Sequence, residues 1–283
     1  MRGKRVACFG PGNVGEPLFR RLVAVIFAEG MLLNGSVIDS GAHAGSESCY
    51  YAELDRSRIV HAVEPLPRNA HNIVNVYGDR PNIVVLAAAL GSRERTVAFA
   101  ATAHSKTMLV NVHAAKSSAP SSPQPSGAKS TFRVHRIDGM FLHDGAWAGE
   151  RLAFGHFDVE GSEADVLEGA KRVIARDRPV FTVEISALRG HASARRLLRL
   201  VEEMRYNALL VPEPCGIRGD ERNVICVPTE RRVARGVAMR TLPLRSDTFD
   251  RVHARELLRY NSSYTYHARG RRQGTVADNA VDG

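Results

Sequence analysis

Val37-Ile38-Asp39-Ser40-Gly41-Ala42-His43-Ala44-Gly45 carries an apolar strand into an acidic residue and a glycine turn, and Val63-Glu64-Pro65 ends the next strand on a second carboxylate. Glycine lets a backbone pass close to a ligand. The helix that follows such a turn offers free N–H groups to an anion. A carboxylate at the tip of the second strand is placed to accept both hydroxyls of a ribose. The layout therefore points to a ligand with a nucleoside at one end and a charged tail at the other, a device that dinucleotide enzymes share.

Outward from this turn the pattern alternates strand and helix. Residues 5–9 are a strand candidate, and 16–29 a helix with Leu18, Leu22, Val25 and Ile26 on one face. Strand 37–39 and helix 46–54 precede strand 59–63, helix 68–76 and a buried strand at 83–87. Residues 96–100 and 108–112 are further short strand candidates. Later come strand 153–159, helix 163–175, strand 179–185, a basic amphipathic helix at 192–205, and strands 208–211 and 224–227 as an antiparallel pair. Strand and helix at this pitch predict an α/β fold, a mostly parallel sheet with right-handed crossovers. We divide the chain into a lead-in at 1–36, a principal domain at 37–228 with a low-complexity loop at 117–130, and a basic, disordered extension at 229–283.

Composition sets wider bounds. The chain has 283 residues and a formal net charge of +9, which on its face suits an anionic partner. The region 229–283 holds 11 Arg against 6 Asp and Glu, so much of the excess lies in that tail. No apolar run is long enough to span a membrane, and no secretory leader is expected. Cys8, Cys49, Cys215 and Cys226 lack CxxC spacing and are expected as reduced thiols of a cytoplasmic protein. No HxH or HExxH occurs, so no metal site is expected.

Gly10-Pro11-Gly12-Asn13-Val14-Gly15 is a literal GxGxxG, and with Asp39 it spells an NAD(P) site. Proline removes an N–H where the pyrophosphate would be held. A second glycine turn directly after Asp39 is also foreign to a dinucleotide fold. A plain turn into a packed helix is the better reading of Gly10, Gly12 and Gly15.

Asp39-Ser-Gly41-Ala42-His-Ala-Gly45 and Glu64-Pro65-Leu-Pro67 resemble the FkbM-type methyltransferases, as do Ala89-Leu90-Gly91, Arg136-Ile137-Asp138, Phe157-Asp158-Val159-Glu160-Gly161-Ser162-Glu163 and Val183-Glu184-Ile185. The likeness covers roughly residues 30–228 and is most specific in the acidic run at 158–163. It implies a Rossmann-like class I fold, an antiparallel C-terminal strand, and S-adenosyl-L-methionine as cofactor. Carried over residue by residue, Gly41, Ala42, His43 and Gly45 line the methionine end, with Asp39 behind them. Glu64 takes the ribose hydroxyls, and Ala89 flanks the adenine. His43 stands where the family usually has asparagine. Asp158, with Glu160 or Glu163 behind it, faces the departing methyl and serves as base, because clustered carboxylates raise one another's pKa. Glu163 is equally placed to be a first-turn acid favoured by the helix dipole, and a divalent metal is the alternative use of these acids.

The expectation is an O-methyltransferase acting on a small hydroxylated metabolite or sugar, with no membrane and no nucleic-acid partner. The competing readings are an NAD(P)-dependent oxidoreductase built on residues 10–15 and a nucleic-acid methyltransferase or binding protein using the tail. Aromatic residues are sparse in that tail, which disfavours stacking on single strands.

Overall fold

Val37 and Ile38 are β-branched and stiff, which suits a pleated strand, and every residue of β1 (Ser36–Ser40) is buried. Burial on both faces marks an internal parallel strand. On one side β2 (Val60–Val63) pairs parallel, with Asp39 opposite Ala62. On the other, β7 (Leu152–Phe157) pairs parallel, with Asp39 opposite His156 and Ser40 opposite Phe157. The structure, a computed structural model, describes residues 6–9, 16–100, 129–186, 191–215 and 221–249.

Beyond these lie β3 (Ile83–Leu86), β8 (Val180–Ser186), β9 (Tyr206–Leu210), β10 (Glu221–Pro228) and β11 (Leu242–Leu244). The eight-stranded order is β11-β9-β10-β8-β7-β1-β2-β3. Strands β3, β2, β1, β7 and β8 are mutually parallel. Strand β10 inserts antiparallel between β8 and β9, so the expected antiparallel ending is present with β10 inside it. From β1 the chain builds outward to β3, then returns to build β7 and β8 on the opposite side. Open α/β sheets open a crevice at such a reversal, outside the carboxyl ends of the strands.

Helices cover both faces. Helices α1 (Pro17–Ala28), α2 (Ser46–Leu54) and α8 (Arg235–Ala238) share a core with Val37, Val60, Phe154 and Ile225. The opposite core takes α4 (Ile137–Phe141), α5 (Glu163–Gly169), α6 (Lys171–Asp177) and α7 (His191–Glu203). Helix α3 (Pro67–Tyr77) packs Ile73 and Tyr77 on Cys49 and Ala62. A second sheet, β4-β6-β5, joins β4 (Ala88–Leu90), β6 (Lys129–His135) and β5 (Arg95–Ala100).

Several expectations change. Residues 6–9 form no strand. The buried face of α1 is Phe19, Leu22, Val23 and Ile26, rotated from the predicted stripe, and it packs in the main core rather than in a separate lead-in. Strand β3 is the sheet edge, and Val84 is 43% exposed there, so its apolar run does not mean burial. The single helix expected at 163–175 is two. Asp138 Oδ1 accepts from the backbone N–H of Arg172 (3.0 Å) and Val173 (2.9 Å), starting α6 afresh. Residues 229–249 belong to the fold: β11 extends the sheet, and Val237, Leu244 and Phe249 are buried. A four-residue helix and a three-residue strand are too short to show a period. The glycines at 10–15, residues 117–128 of the low-complexity loop, the strand candidate at 108–112 and residues 250–283 lie outside the described residues.

The thiol expectation is corrected for one pair. Cys8 and Cys49 form a disulfide, while Cys215 and Cys226 are free and buried. The bond closes a loop of 41 residues, and restricting such a loop in the unfolded chain contributes up to about 4 kcal/mol. We expect Cys8→Ser, or treatment of the wild type with a dithiol reductant, to lower the unfolding free energy by about 2–4 kcal/mol. Urea unfolding followed by circular dichroism reads this, and unchanged midpoints would count against the bond.

Candidate active site

The crevice between β1 and β7 is closed at its floor by main chain. Asp158 donates its backbone N–H to Ser40 O (3.0 Å), and Gly41 donates to Val63 O (3.0 Å). Gly41 has φ 86°, and a Cβ there would sit 1.8 Å from the carbonyl oxygen of Asp158. No other residue fits. Gly45, at φ 79°, starts α2 with Ile73 and Tyr77 about it.

Around this floor stand the predicted acids. Asp39 is buried and accepts the Ser48 hydroxyl at Oδ2. Burial, reinforced by Glu47 and Glu64 and opposed by Ser48, pushes it up to about 7. Glu64, at the tip of β2, braces the turn. Its Oε2 accepts from the His43 backbone N–H (2.8 Å), and its Oε1 from Leu66 N–H (2.9 Å) and Asn69 Nδ2 (3.3 Å). Burial raises its carboxyl as well, against those hydrogen bonds. His43 projects its side chain outward at φ 47°, the left-handed region that favours asparagine. Its contribution to the turn is the backbone N–H. Ala42 is buried beneath the turn, and Ala89 sits half-buried on β4.

Asp158 follows β7 directly. Burial first, then Glu160, Glu163, Glu16 and Glu221, hold its carboxyl well above the usual range. The three acids of the 158–163 run divide their roles. Glu163 Oε1 accepts from Val159 N–H (3.3 Å) and Gly161 N–H (3.0 Å), holding the turn in which Glu160 and Gly161 have φ 55° and 100°. That makes Glu163 a brace rather than the group facing the reaction. Glu160 is half-buried in the turn itself. Among the described residues no group of three or more His, Cys, Asp or Glu is arranged to hold a metal ion.

Sequence reading missed four neighbours. Glu16 precedes α1 and accepts from Asn223 Nδ2 (3.0 Å); burial and Glu47 push it up to about 7. Glu221 opens β10. Cys215 donates its thiol to Glu184 Oε1 (3.5 Å). Tyr51 is buried between α1, α2 and the sheet, near Asp39, Glu47, Glu16 and Asp158. The acid before Pro17 was the one legible signal, since acids gather where helices begin.

Two clefts open here. The larger, about 460 Å³, runs from Ser40, Gly41 and Pro65 past Ala89 and Leu90 to Phe132 and Asp165. The smaller, about 300 Å³, lies against the other face of the first turn of α5 and is lined by Glu163, Glu184, Ser186 and Ser193. Residues 39–208 match the model of the methyltransferase FkbM domain. The chain belongs to the FkbM methyltransferase family.

This member of the FkbM family is similar in structure to a methyltransferase FkbM from Methylobacillus flagellatus, with 18% identity and a TM-score of 0.47; 72% of the chain aligns with 47% of that protein. It thus spans about half the length of that relative. Aeropyrum pernix fibrillarin, crystallised with natively bound S-adenosyl-L-methionine, is 12% identical at a TM-score of 0.45, over 74% of each chain. A SAM-dependent O-methyltransferase from Thermotoga maritima is 10% identical at 0.40, over 77% of this chain and 67% of that one. No curated protein matches the chain. Its strand order, reversing between β1 and β7, is that of an open α/β sheet.

Because His43 serves through its backbone in a left-handed conformation, we expect His43→Asn to keep stability and ligand affinity. His43→Val, β-branched, should cost about 1–2 kcal/mol at that conformation. Thermal unfolding of both variants checks this; equal loss in the two would mean that the imidazole itself is required.

Proposed function

We propose that this methyltransferase uses S-adenosyl-L-methionine to methylate a hydroxyl of a small metabolite or sugar. The observation that carries the reading is the meeting of Gly41 and Asp158 across the reversal of the sheet, with Glu64 at the next strand tip. Fit favours the cofactor. Gly41 lines the larger cleft with backbone alone. Glu64 already accepts from His43 N–H, Leu66 N–H and Asn69 Nδ2, so of a carboxylate's roughly four acceptor sites one is open to a ribose hydroxyl, and a second hydroxyl would take the place of the longer Asn69 contact. The larger cleft continues along apolar walls suited to a base. Asp39, Glu16 and Glu47 surround the end where an ammonium group and a sulfonium would lie.

When bound, the cofactor supplies an electrophilic methyl carbon on sulfur. The turn at Gly41 and Glu64 would hold it, and transfer to the acceptor oxygen would leave the electron pair of the broken carbon–sulfur bond on sulfur. Asp158 takes the hydroxyl proton. Its raised pKa makes it a stronger base than an ordinary carboxylate. The smaller cleft, with two carboxylates and two serine hydroxyls, suits a hydroxylated acceptor with no anionic group. In-line alignment over Asp158 supplies most of the acceleration. A small acceptor is part of this proposal; the cytoplasmic expectation rested on reduced thiols, and the Cys8–Cys49 disulfide removes that ground. The oxidoreductase and nucleic-acid readings draw no support from the described site.

Calorimetric titration with S-adenosylhomocysteine should give micromolar binding, weakened at least ~tenfold in Glu64→Ala because the turn and the ribose contacts are lost together. Tight binding of NADH with no response to S-adenosylhomocysteine would overturn the cofactor.

With a panel of hydroxylated acceptors and labelled cofactor, Asp158→Asn should lower kcat by about 100-fold or more while leaving the affinity for S-adenosylhomocysteine within about threefold. The wild-type kcat should rise with pH through the raised carboxyl, since the deprotonated form is the active one. A kcat that does not change with pH would remove Asp158 as base.

A further inference from the structure

The disulfide lies against the glycine turn rather than in the body of the main core. Cys49 stands in the first turn of α2, where its N–H donates to Gly45 O (2.9 Å), and it shares a small core with Ala42, Ile73 and Tyr77. Ile73 and Tyr77 also flank Gly45, the last residue of the turn. Cys8 is half-buried at the outside of this core, while Cys49 is fully buried. One sulfur of the bond is therefore open to an attacking thiolate and the other is not.

Apart from the bond, residues 6–9 are held by little. Cys8 O accepts from the Tyr77 hydroxyl (3.4 Å), and Val6 O accepts from Arg80 Nη2 (2.8 Å). The Arg20 guanidinium lies 3.8 Å from the centre of the Phe9 ring, which is 5.6 Å from that of Tyr50. Val6 and Ala7 are exposed. The segment also meets a guanidinium kept from water. Arg80 is 4% exposed, and its Nε and Nη1 have no hydrogen-bond acceptor; its carboxylate partners stand at 3.5 Å (Glu53) and 3.9 Å (Asp79). Water would satisfy those donors if the segment moved away. Four residues with so few contacts do not repay their ordering without a covalent tie.

We propose that the Cys8–Cys49 bond is a thiol-operated strap. Formed, it holds the turn at 41–45 ready for the nucleoside ligand; opened by a dithiol reductant, it lets residues 6–9 leave and weakens that binding. A thiolate of the reductant attacks Cys8 Sγ, the sulfur–sulfur bond breaks, and its electron pair passes to Cys49 Sγ, which takes up a proton. The second thiolate of the reductant then displaces Cys8 from the mixed disulfide. Two electrons and two protons reach the protein, and the reductant leaves as its own disulfide. The strap reaches the site by two routes. Tyr77 holds Cys8 and flanks Gly45, and Arg20, stacked on Phe9, lies close to Glu16 and Glu47. The effect on affinity rests on the cofactor reading above, and the release of the segment does not.

The test uses the full chain, oxidised and reduced, with thiol titration to follow the two free cysteines becoming four. We expect reduction to weaken S-adenosylhomocysteine binding at least ~fivefold by calorimetry. Amide exchange at residues 41–49 should quicken beyond any change in β8. Cys8→Ser should show the reduced behaviour with or without reductant. A purely structural bond acts on the unfolded chain, so exchange at 41–49 that only follows β8 overturns the strap. Binding of S-adenosylhomocysteine that stays within about twofold on reduction overturns it too. Locally faster exchange with no binding in either state keeps the strap and overturns the cofactor reading alone.

Discussion

Between β1 and β7 the two main chains come so close that nothing larger than hydrogen can sit on Gly41. This contact is where the sheet reverses direction, and it sets the distance between everything on the β1–β2 side and everything on the β7–β8 side. Asp39, the turn and Glu64 hang from one edge. Asp158 and the brace of Glu163 hang from the other. Parallel strands buried on both faces cannot slide without moving every side chain to the wrong face, so the register of β1 against β7 is also the register of the site. Chemistry that depends on sub-ångström alignment gains from being fixed by backbone rather than by flexible side chains.

The second theme is carboxyl groups held where water would normally keep them ionised. Asp39, Glu16, Glu47, Glu64 and Asp158 are all raised by burial. Their folded states favour the protonated form, so in the free protein they contribute stability that is present in acid and lost as pH rises through their raised values. Asp39 and Glu16, at about 7, place part of that loss close to neutrality. A ligand bringing positive charge relieves it. Keeping these carboxyls buried costs the free protein stability, a familiar exchange at functional sites.

Much of this was legible in the sequence where a residue type has one physical use. The turn at 39–45, the carboxylate after β2 and the acidic run at 158–163 could be read because glycine and buried acid are costly elsewhere. Elements longer than five residues with a regular period were placed well, as β7, β8 and α7 show. What failed was set by distant partners. Nothing near Cys8 announces Cys49. Asp138 looks like part of a signature, yet its visible work is to start α6, some 34 residues on. Glu163 resembles a catalytic acid in one dimension and is a brace in three. The closing strand β11 and helix α8 are too short for any pattern and exist because β9 and α1 offer them an apolar surface.

The first helix has its own dependence on distance. The N–H groups of Leu18 and Phe19 at the start of α1 are taken by the carboxylate of Glu213, at 2.9 and 2.8 Å, across separations of 195 and 194 residues. The acid just before that helix meets Asn223, 207 residues away. A nascent chain emerges from its N-terminus, so α1 leaves the ribosome with these donors facing water and its apolar stripe unmatched. It has to be stored, uncapped, until nearly the whole domain has been made. Its docking is then a late event that depends on contacts of very high sequence separation, which are the slow ones to form. A helix translated well before its partners is among the last to be secured.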